Sequence, residues 1–266
     1  MPGPDHDLTL ALELADLADE LTMARFRADD LVVETKPDLT PVSEADRAVE
    51  QALRARLAEW RPGDAVVGEE YGTEARPGAS RRWIVDPIDG TKSYIRGVPV
   101  WATLLALEQD GALTVGVVSA PALSRRWWAV RGAGAYVREA GAGEPRPLRV
   151  SAVGSLGDAQ LCFAGFEEWL ERGRLDALTE LSRRCWRTRG YGDFWQYMLV
   201  AEGAAEIALD PIASFWDLAA PLVVVAEAGG RFTDLGGVVT AEGGDAVATN
   251  GRLHDAVLEV VGRGRS

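Results

Sequence analysis

The stretch Trp83-Ile-Val-Asp-Pro-Ile-Asp-Gly-Thr91 constrains the fold more than any other part of the chain. A β-branched run stops at two carboxylates that flank a carbonyl, so a strand ends where several oxygen atoms face one point. Hard divalent cations take oxygen ligands. Asp86, the Ile88 carbonyl and Asp89 supply three within four residues, with Pro87 fixing the turn. Thr91 adds a hydroxyl able to orient water, and Gly90 lets the backbone approach an anion. An isolated Asp-Gly would be read as a turn and nothing more. Here, however, further acidic residues stand where apolar segments end or begin: Gly68-Glu69-Glu70 after Val66-Val67, and Phe215-Trp216-Asp217 at the head of a long apolar run.

Carboxylates must carry any chemistry this chain performs. His6 stands near the start and His254 in a late helix, while Cys162 and Cys185 sit in unrelated contexts, so imidazole chemistry, a zinc site and a disulfide framework are all poor readings. With 28 Lys and Arg against 41 Asp and Glu, the net charge of −13 argues against nucleic acid as a partner. The longest apolar stretch, Leu218 to Ala226, is far short of a membrane span, and the first residues lack a basic head followed by an apolar run. A cytoplasmic protein is expected.

The chain of 266 residues suggests one large or two closely joined units. Leu10, Leu14, Leu17 and Leu21 give helical spacing over Leu8 to Phe26. A second helix starts after the capping sequence Ser43-Glu-Ala-Asp46 and stops at Pro62-Gly63. Strands are predicted near 64–69, 81–86, 100–109, 113–120 and 126–131, with a hairpin turn at Gln109-Asp110-Gly111. This first lobe, 1–147, reads as α+β with an antiparallel sheet and most of the metal ligands; residues 132–147 read as a loop-rich passage near the lobe boundary. The second lobe, 148–266, alternates: strand at Gln160–Ala164, helices at 170–186 and 193–202, strand at Ala205–Asp210, helix from Asp217 to Ala228, strands at 230–233 and 246–249, and a last helix. That half reads as α/β.

Glu69, Asp86, Asp89 and Asp217, with the Ile88 carbonyl, could hold two divalent cations about 3.5–4 Å apart, the separation that two-metal phosphatases use. Mg²⁺ suits such a set, with Mn²⁺ the alternative, because it prefers carboxylate oxygen and borrows further ligands from phosphate. Glu69 and Thr91 could orient a water nucleophile. Backbone N–H groups at Gly90 and Thr91 could receive phosphate oxygens. The reaction class is phosphate monoester hydrolysis.

The three motifs Gly68-Glu69-Glu70, Asp86-Pro-Ile-Asp-Gly-Thr91 and Trp216-Asp217-Leu-Ala-Ala220 with Gly229-Gly230 resemble, in order and spacing, the signatures of the inositol monophosphatase-like superfamily of metal-dependent phosphatases. The resemblance implies a layered αβαβα sandwich, a homodimer, and Glu69, Asp86, Ile88, Asp89 and Asp217 as metal ligands. Asp46, in Asp38-Leu-Thr-Pro-Val-Ser-Glu-Ala-Asp46, matches an acidic position near a third, weaker cation; its plainer role is a helix cap. Two or three ions per site are thus implied, with Glu69, Thr91 and Asp46 as the catalytic group.

The segment Arg189-Gly-Tyr-Gly-Asp-Phe-Trp-Gln-Tyr197 looks like the histidinol-phosphate phosphatase branch of that superfamily. An ammonium and an imidazole on the substrate call for carboxylates and an aromatic ring. Asp193 and Asp210 are the acidic candidates, Trp195 the aromatic one, and Arg189 a phosphate or polar-edge contact. Asp193 could equally be a helix N-cap, and the aromatic residues could equally be core or subunit interface. The expected function is Mg²⁺-dependent hydrolysis of L-histidinol phosphate, a small phosphorylated metabolite of histidine biosynthesis. Inositol-1-phosphate hydrolysis and a catalytically silent phosphate-ligand binding protein are the alternatives.

Overall fold

The computed structural model describes residues 4–262 apart from 38, 140 and 142, so Asp38 lies outside the described residues. Helix α1 (Pro4–Arg25) leads through a short hairpin, β1 (Val33–Thr35) and β2 (Pro41–Ser43), into α2 (Glu44–Trp60). The predicted cap of α2 is present: Ser43 Oγ accepts the N–H of Ala45 at 3.2 Å, and the Asp46 carboxylate accepts the N–H of Ser43 at 2.8 Å.

Eight strands then build one sheet, ordered β10-β9-β8-β7-β6-β5-β3-β4. They are β3 (Ala65–Gly68), β4 (Gly72–Glu74), β5 (Arg81–Asp89), β6 (Ala102–Gln109), β7 (Ala112–Ala120), β8 (Arg125–Val130), β9 (Gly134–Glu139) and β10 (Arg146–Pro147), with the one-turn helix α3 (Thr91–Ile95) between β5 and β6. A second sheet of order β12-β11-β13-β15-β14 contains β11 (Gln160–Phe163), β12 (Arg187–Arg189), β13 (Ile207–Asp210), β14 (Arg231–Thr233) and β15 (Ala246–Thr249). Its helices are α4 (Phe166–Glu171), α5 (Leu175–Arg184), α6 (Asp193–Ala201), α7 (Phe215–Glu227) and α8 (His254–Val261).

Strand alternation sorts these elements into five layers. Trp83, Val85, Leu105, Leu107, Val115 and Val117 face α1 and α2, which meet them with Leu10, Leu14, Val49, Leu53 and Leu57. Ile84, Leu104, Ala106 and Val118 face the other way, onto α6 and α7. The second sheet covers those helices with small residues, Cys162, Ala208, Ala246 and Ala248, while Leu161, Ile207, Leu209 and Val247 pack outward on α4, α5 and α8. The result is the αβαβα sandwich.

Helix α7 lies close to the large sheet because the residues beneath it are small. Ala106, Gly116, Ala129 and Ala135 are consecutive partners across β6, β7, β8 and β9. A Cβ at Gly116 would stand 2.7 Å from the Ala220 carbonyl oxygen and 3.0 Å from Val223 Cβ. The head of α7, with Asp217, is therefore held at a fixed height above β5 and β6.

Several expectations need correction. The large sheet is not purely antiparallel: β3 and β5 run parallel, because β4 folds back on β3 at the sheet edge and the chain re-enters on the inner side. Residues 132–147 are not all loop, since β9 carries the alternation Ala135, Val137 inward; the Glu227 carboxylate holds the preceding turn by accepting the N–H groups of Gly132 and Gly134, each at 2.9 Å. The single helix expected over 170–186 is two, parted at Gly173, which adopts φ +64. All strands of the first sheet lie before residue 148 and all of the second after it, yet α6 and α7 join both in one core.

Candidate active site

In a regular strand two residues three apart point to opposite faces, so Asp86 and Asp89 should diverge. Strand β5 runs on through Asp89, further than the sequence suggests, but its pairing with β6 is irregular between those two residues. Pro87 has no N–H to give the ladder, and its carbonyl is taken instead by the Thr103 hydroxyl at 2.8 Å. That bulge turns both carboxylates inward. Carboxylate oxygens of Asp86, Asp89 and Asp217 all lie within 4.8 Å of one another.

Each is anchored by a backbone N–H. Asp86 Oδ1 accepts that of Ile88 at 3.0 Å, Asp89 Oδ2 that of Phe194 at 2.6 Å, and Asp217 Oδ2 that of Ser214 at 2.7 Å. Asp217 is thus the third residue of a capping box on α7, with its other oxygen free to face the cluster. Burial, followed by the charges of Glu69 and Asp89, pushes the Asp86 carboxyl well above its usual range. Burial and then Asp193 do the same to Asp89, and burial takes Asp217 to about 7. Carboxylates this crowded favour protons or metal; a cation among them would reverse the shift.

Glu69 leaves the end of β3 and lines the same pocket, a cavity of about 180 Å³ that also includes Ile88, Gly90, Thr91, Asp193, Tyr197 and Asp210. Its Oε1 is 2.7 Å from Lys36 Nζ, which also reaches Glu70 Oε1 at 2.6 Å. Lys36, on the turn between β1 and β2, is a residue at the site that is not among the candidates the sequence suggests. Its ammonium meets Glu69 where a metal ligand was expected. Asp46 closes the cap of α2 through Oδ2, while its Oδ1 lies 3.1 Å from the Thr91 hydroxyl. That hydroxyl also lies 3.0 Å from the Ile88 carbonyl oxygen. Gly90, at φ 84, occupies a left-handed turn that a side chain would disfavour, and a Cβ there would come within 3.2 Å of Asp193 Oδ2.

Asp193 is not the cap of α6. Gly192 holds that position, without a side-chain bond, and Asp193 takes φ 46 with its carboxylate turned toward Gly90. Asp210 ends β13, where its oxygens accept from Ile212 N at 3.2 Å and Tyr197 Oη at 3.5 Å. Burial raises its carboxyl well above normal, and the neighbouring Glu168 charge is the next cause. Glu168 is a second residue the sequence reading missed. It lines the pocket, and its Oε2 is buried without a hydrogen-bond partner among the described residues. The parallel pairing of β11 with β13 opens the C-terminal ends of both strands on one side, which brings the α4 start beside Asp210.

Arg189 and Trp195 are not brought to the pocket within this chain. Arg189 is exposed and donates to the Thr188 carbonyl at 2.7 Å; Trp195 packs on Tyr191 with ring centroids 5.0 Å apart. Phe194 and Tyr197 are core residues, each 1% exposed.

The inositol monophosphatase family model matches residues 4–264. The chain belongs to the inositol monophosphatase family. It is a metal-dependent phosphoric monoester hydrolase, and the Asp86, Asp89 and Asp217 oxygens lie close enough together that they could hold a metal ion. A histidinol-phosphatase of Mycobacterium tuberculosis is 58% identical over 252 residues, covering 95% of this chain and 96% of the relative. One of Streptomyces coelicolor is 53% identical over 262 residues, covering 97% of each. Among solved structures, the extragenic suppressor protein SuhB of Bartonella henselae superposes with a TM-score of 0.88 at 26% identity, covering 98% of this chain and all of that one. Among the described residues no helix is long and apolar enough to cross a membrane.

Proposed function

We propose that this inositol monophosphatase family member hydrolyses L-histidinol phosphate with Mg²⁺, two or three ions per site, Mn²⁺ being the alternative ion. The observation that carries the substrate is a second acidic wall. Asp193, Glu168 and Asp210 line the pocket beside the metal carboxylates, and a substrate bearing an ammonium or imidazolium supplies the positive charge they call for. A neutral polyol phosphate does not. The histidinol-phosphatases that share over half of this sequence support the same reading.

In this reading Asp86, Asp89, Asp217, Glu69 and the Ile88 carbonyl hold the metal, with Asp46 close to a further, weaker ion. Bound there, Mg²⁺ would lower the pKa of a ligated water and offset charge on the phosphate and leaving oxygen. The Thr91 hydroxyl, held by Asp46, and Glu69 orient the attacking water. Backbone N–H groups at Gly90 and Thr91 receive phosphate oxygens. Lys36 must release Glu69, or share it, as metal enters.

Arg189 and Trp195 contribute through a homodimer, reaching the neighbouring protomer's substrate. Trp186, three residues before Arg189, and Phe166 and Leu170, one turn apart on α4, are exposed apolar groups at 68%, 51% and 54%, which favours a covered face. The working compartment is the cytoplasm. The test is phosphate release with Mg²⁺, comparing L-histidinol phosphate with inositol-1-phosphate. A preference of about a hundredfold in kcat/KM, near 2.7 kcal/mol, is expected; the reverse preference overturns the substrate and leaves the metal chemistry standing.

A further inference from the structure

Glu50 is fully buried on α2, one helical turn beyond Asp46, and does not line the pocket. Its Oε2 accepts the N–H of Glu70 at 2.7 Å, and its Oε1 accepts the N–H of Tyr71 at 3.2 Å and Arg54 Nε at 2.8 Å. Arg54, a turn further along, donates to the Gly72 carbonyl and pairs with Glu74 at 3.6 Å. Two consecutive turns of α2 therefore grip both sides of the 69–71 turn between β3 and β4. The Glu69 N–H, donated to Val85 O at 3.2 Å, ties the first residue of that turn to β5.

Gly68 completes the arrangement. Its φ is not in the left-handed range, so conformation does not demand glycine. Space does, because a Cβ at 68 would stand 2.0 Å from Glu50 Oε1 and 2.3 Å from Glu50 Cδ. The carboxylate occupies the volume that a side chain would take. Burying a charged pair is a weak route to stability, since well-packed apolar residues do as well or better. Orientation is the better account of a buried carboxylate that spends its bonds on two backbone N–H groups beside a ligand.

We propose that Glu50 is a positioning residue: it sets the 68–71 turn against β5 so that Glu69 reaches the Asp86–Asp89–Asp217 cluster. The inference rests on the metal reading given above. Partners that orient ligands typically matter by about 10–100-fold in metal affinity. Glu50→Gln should therefore weaken Mn²⁺ binding, followed by the electron paramagnetic resonance signal of the free ion, by about tenfold or more. The Mg²⁺ concentration giving half-maximal activity should rise in step, with kcat at saturating Mg²⁺ kept within a few-fold. Gly68→Ala, which pushes the carboxylate aside, should give the same metal phenotype and still reports if Glu50 variants fail to fold. Placed on Glu50→Ala it should add nothing, because the clash is gone. Wild-type Mn²⁺ affinity in cooperatively folded Glu50→Gln, or additive effects of the two substitutions, overturns the proposal. No Mn²⁺ binding by the unsubstituted chain overturns the metal reading and this inference together.

Discussion

Asp89→Asn should separate stability from function, and the structure sets the size of both effects. The bond from Phe194 N to Asp89 Oδ2 survives if the amide oxygen takes that place, leaving the –NH₂ group turned to Asp86 and Asp217. A like-charge pair within 4.8 Å costs up to about 3 kcal/mol at an effective dielectric near 20, less what protonation already relieves. Without metal the variant should thus unfold no lower than the parent, and up to several degrees higher. With Mg²⁺ at about a hundred times its Kd, the parent gains about 2.7 kcal/mol, or about 5–10 °C for a chain of this size. A hundredfold weaker site leaves about 0.4 kcal/mol at the same Mg²⁺ concentration, a shift of about 1 °C. Thermal unfolding with and without Mg²⁺ reads both quantities, and phosphate release reads turnover. An undiminished Mg²⁺ shift, or near-normal turnover at saturating Mg²⁺, would refute the placement of Asp89 among the ligands.

Gly116→Ala drives a methyl against the Ala220 carbonyl, a backbone atom that cannot swing aside, and should cost about 1–3 kcal/mol, lowering Tm by about 2–10 °C; an unchanged Tm would show that α7 does not need the gap. His254 is buried between the Thr233 and Thr249 hydroxyls at 2.9 and 3.0 Å, and burial lowers its pKa from 6.5 to about 4. The unfolded chain then binds this proton first, so stability is complete above pH 6.5 and drains away as pH falls toward 4, by about 3 kcal/mol in all. Urea unfolding across that window should lose this part of its pH slope in His254→Gln, and identical slopes would remove His254 from the acid response.

Local chemistry was legible wherever one short segment carried its own reason. Ser43 and Asp46 announced a helix start because a capping box needs only residues three apart, and the leucines of α1 announced a buried face by spacing alone. Gly173 broke the expected long helix because a left-handed residue ends a helix whatever the apolar pattern beyond it suggests. Strand β9 went unread because the glycines and alanines around it mimic loop composition; what makes it a strand is the neighbour β8 and the Glu227 carboxylate from α7.

Of the site, the sequence by itself determined the set of candidate ligands: carboxylates and one carbonyl packed around Asp86-Pro-Ile-Asp, with acidic partners at Glu69 and Asp217. Only the tertiary structure decided which of these groups share a point in space. Asp86 and Asp89 converge through a bulge whose bonds come from another strand, and Asp217 joins them because a row of small residues lets α7 settle on the sheet. Lys36 and Glu168 became site residues for the same reason, being set by pairings between segments distant in sequence. Spacing along a chain fixes which groups are available, whereas distances between remote segments depend on packing that no local pattern encodes.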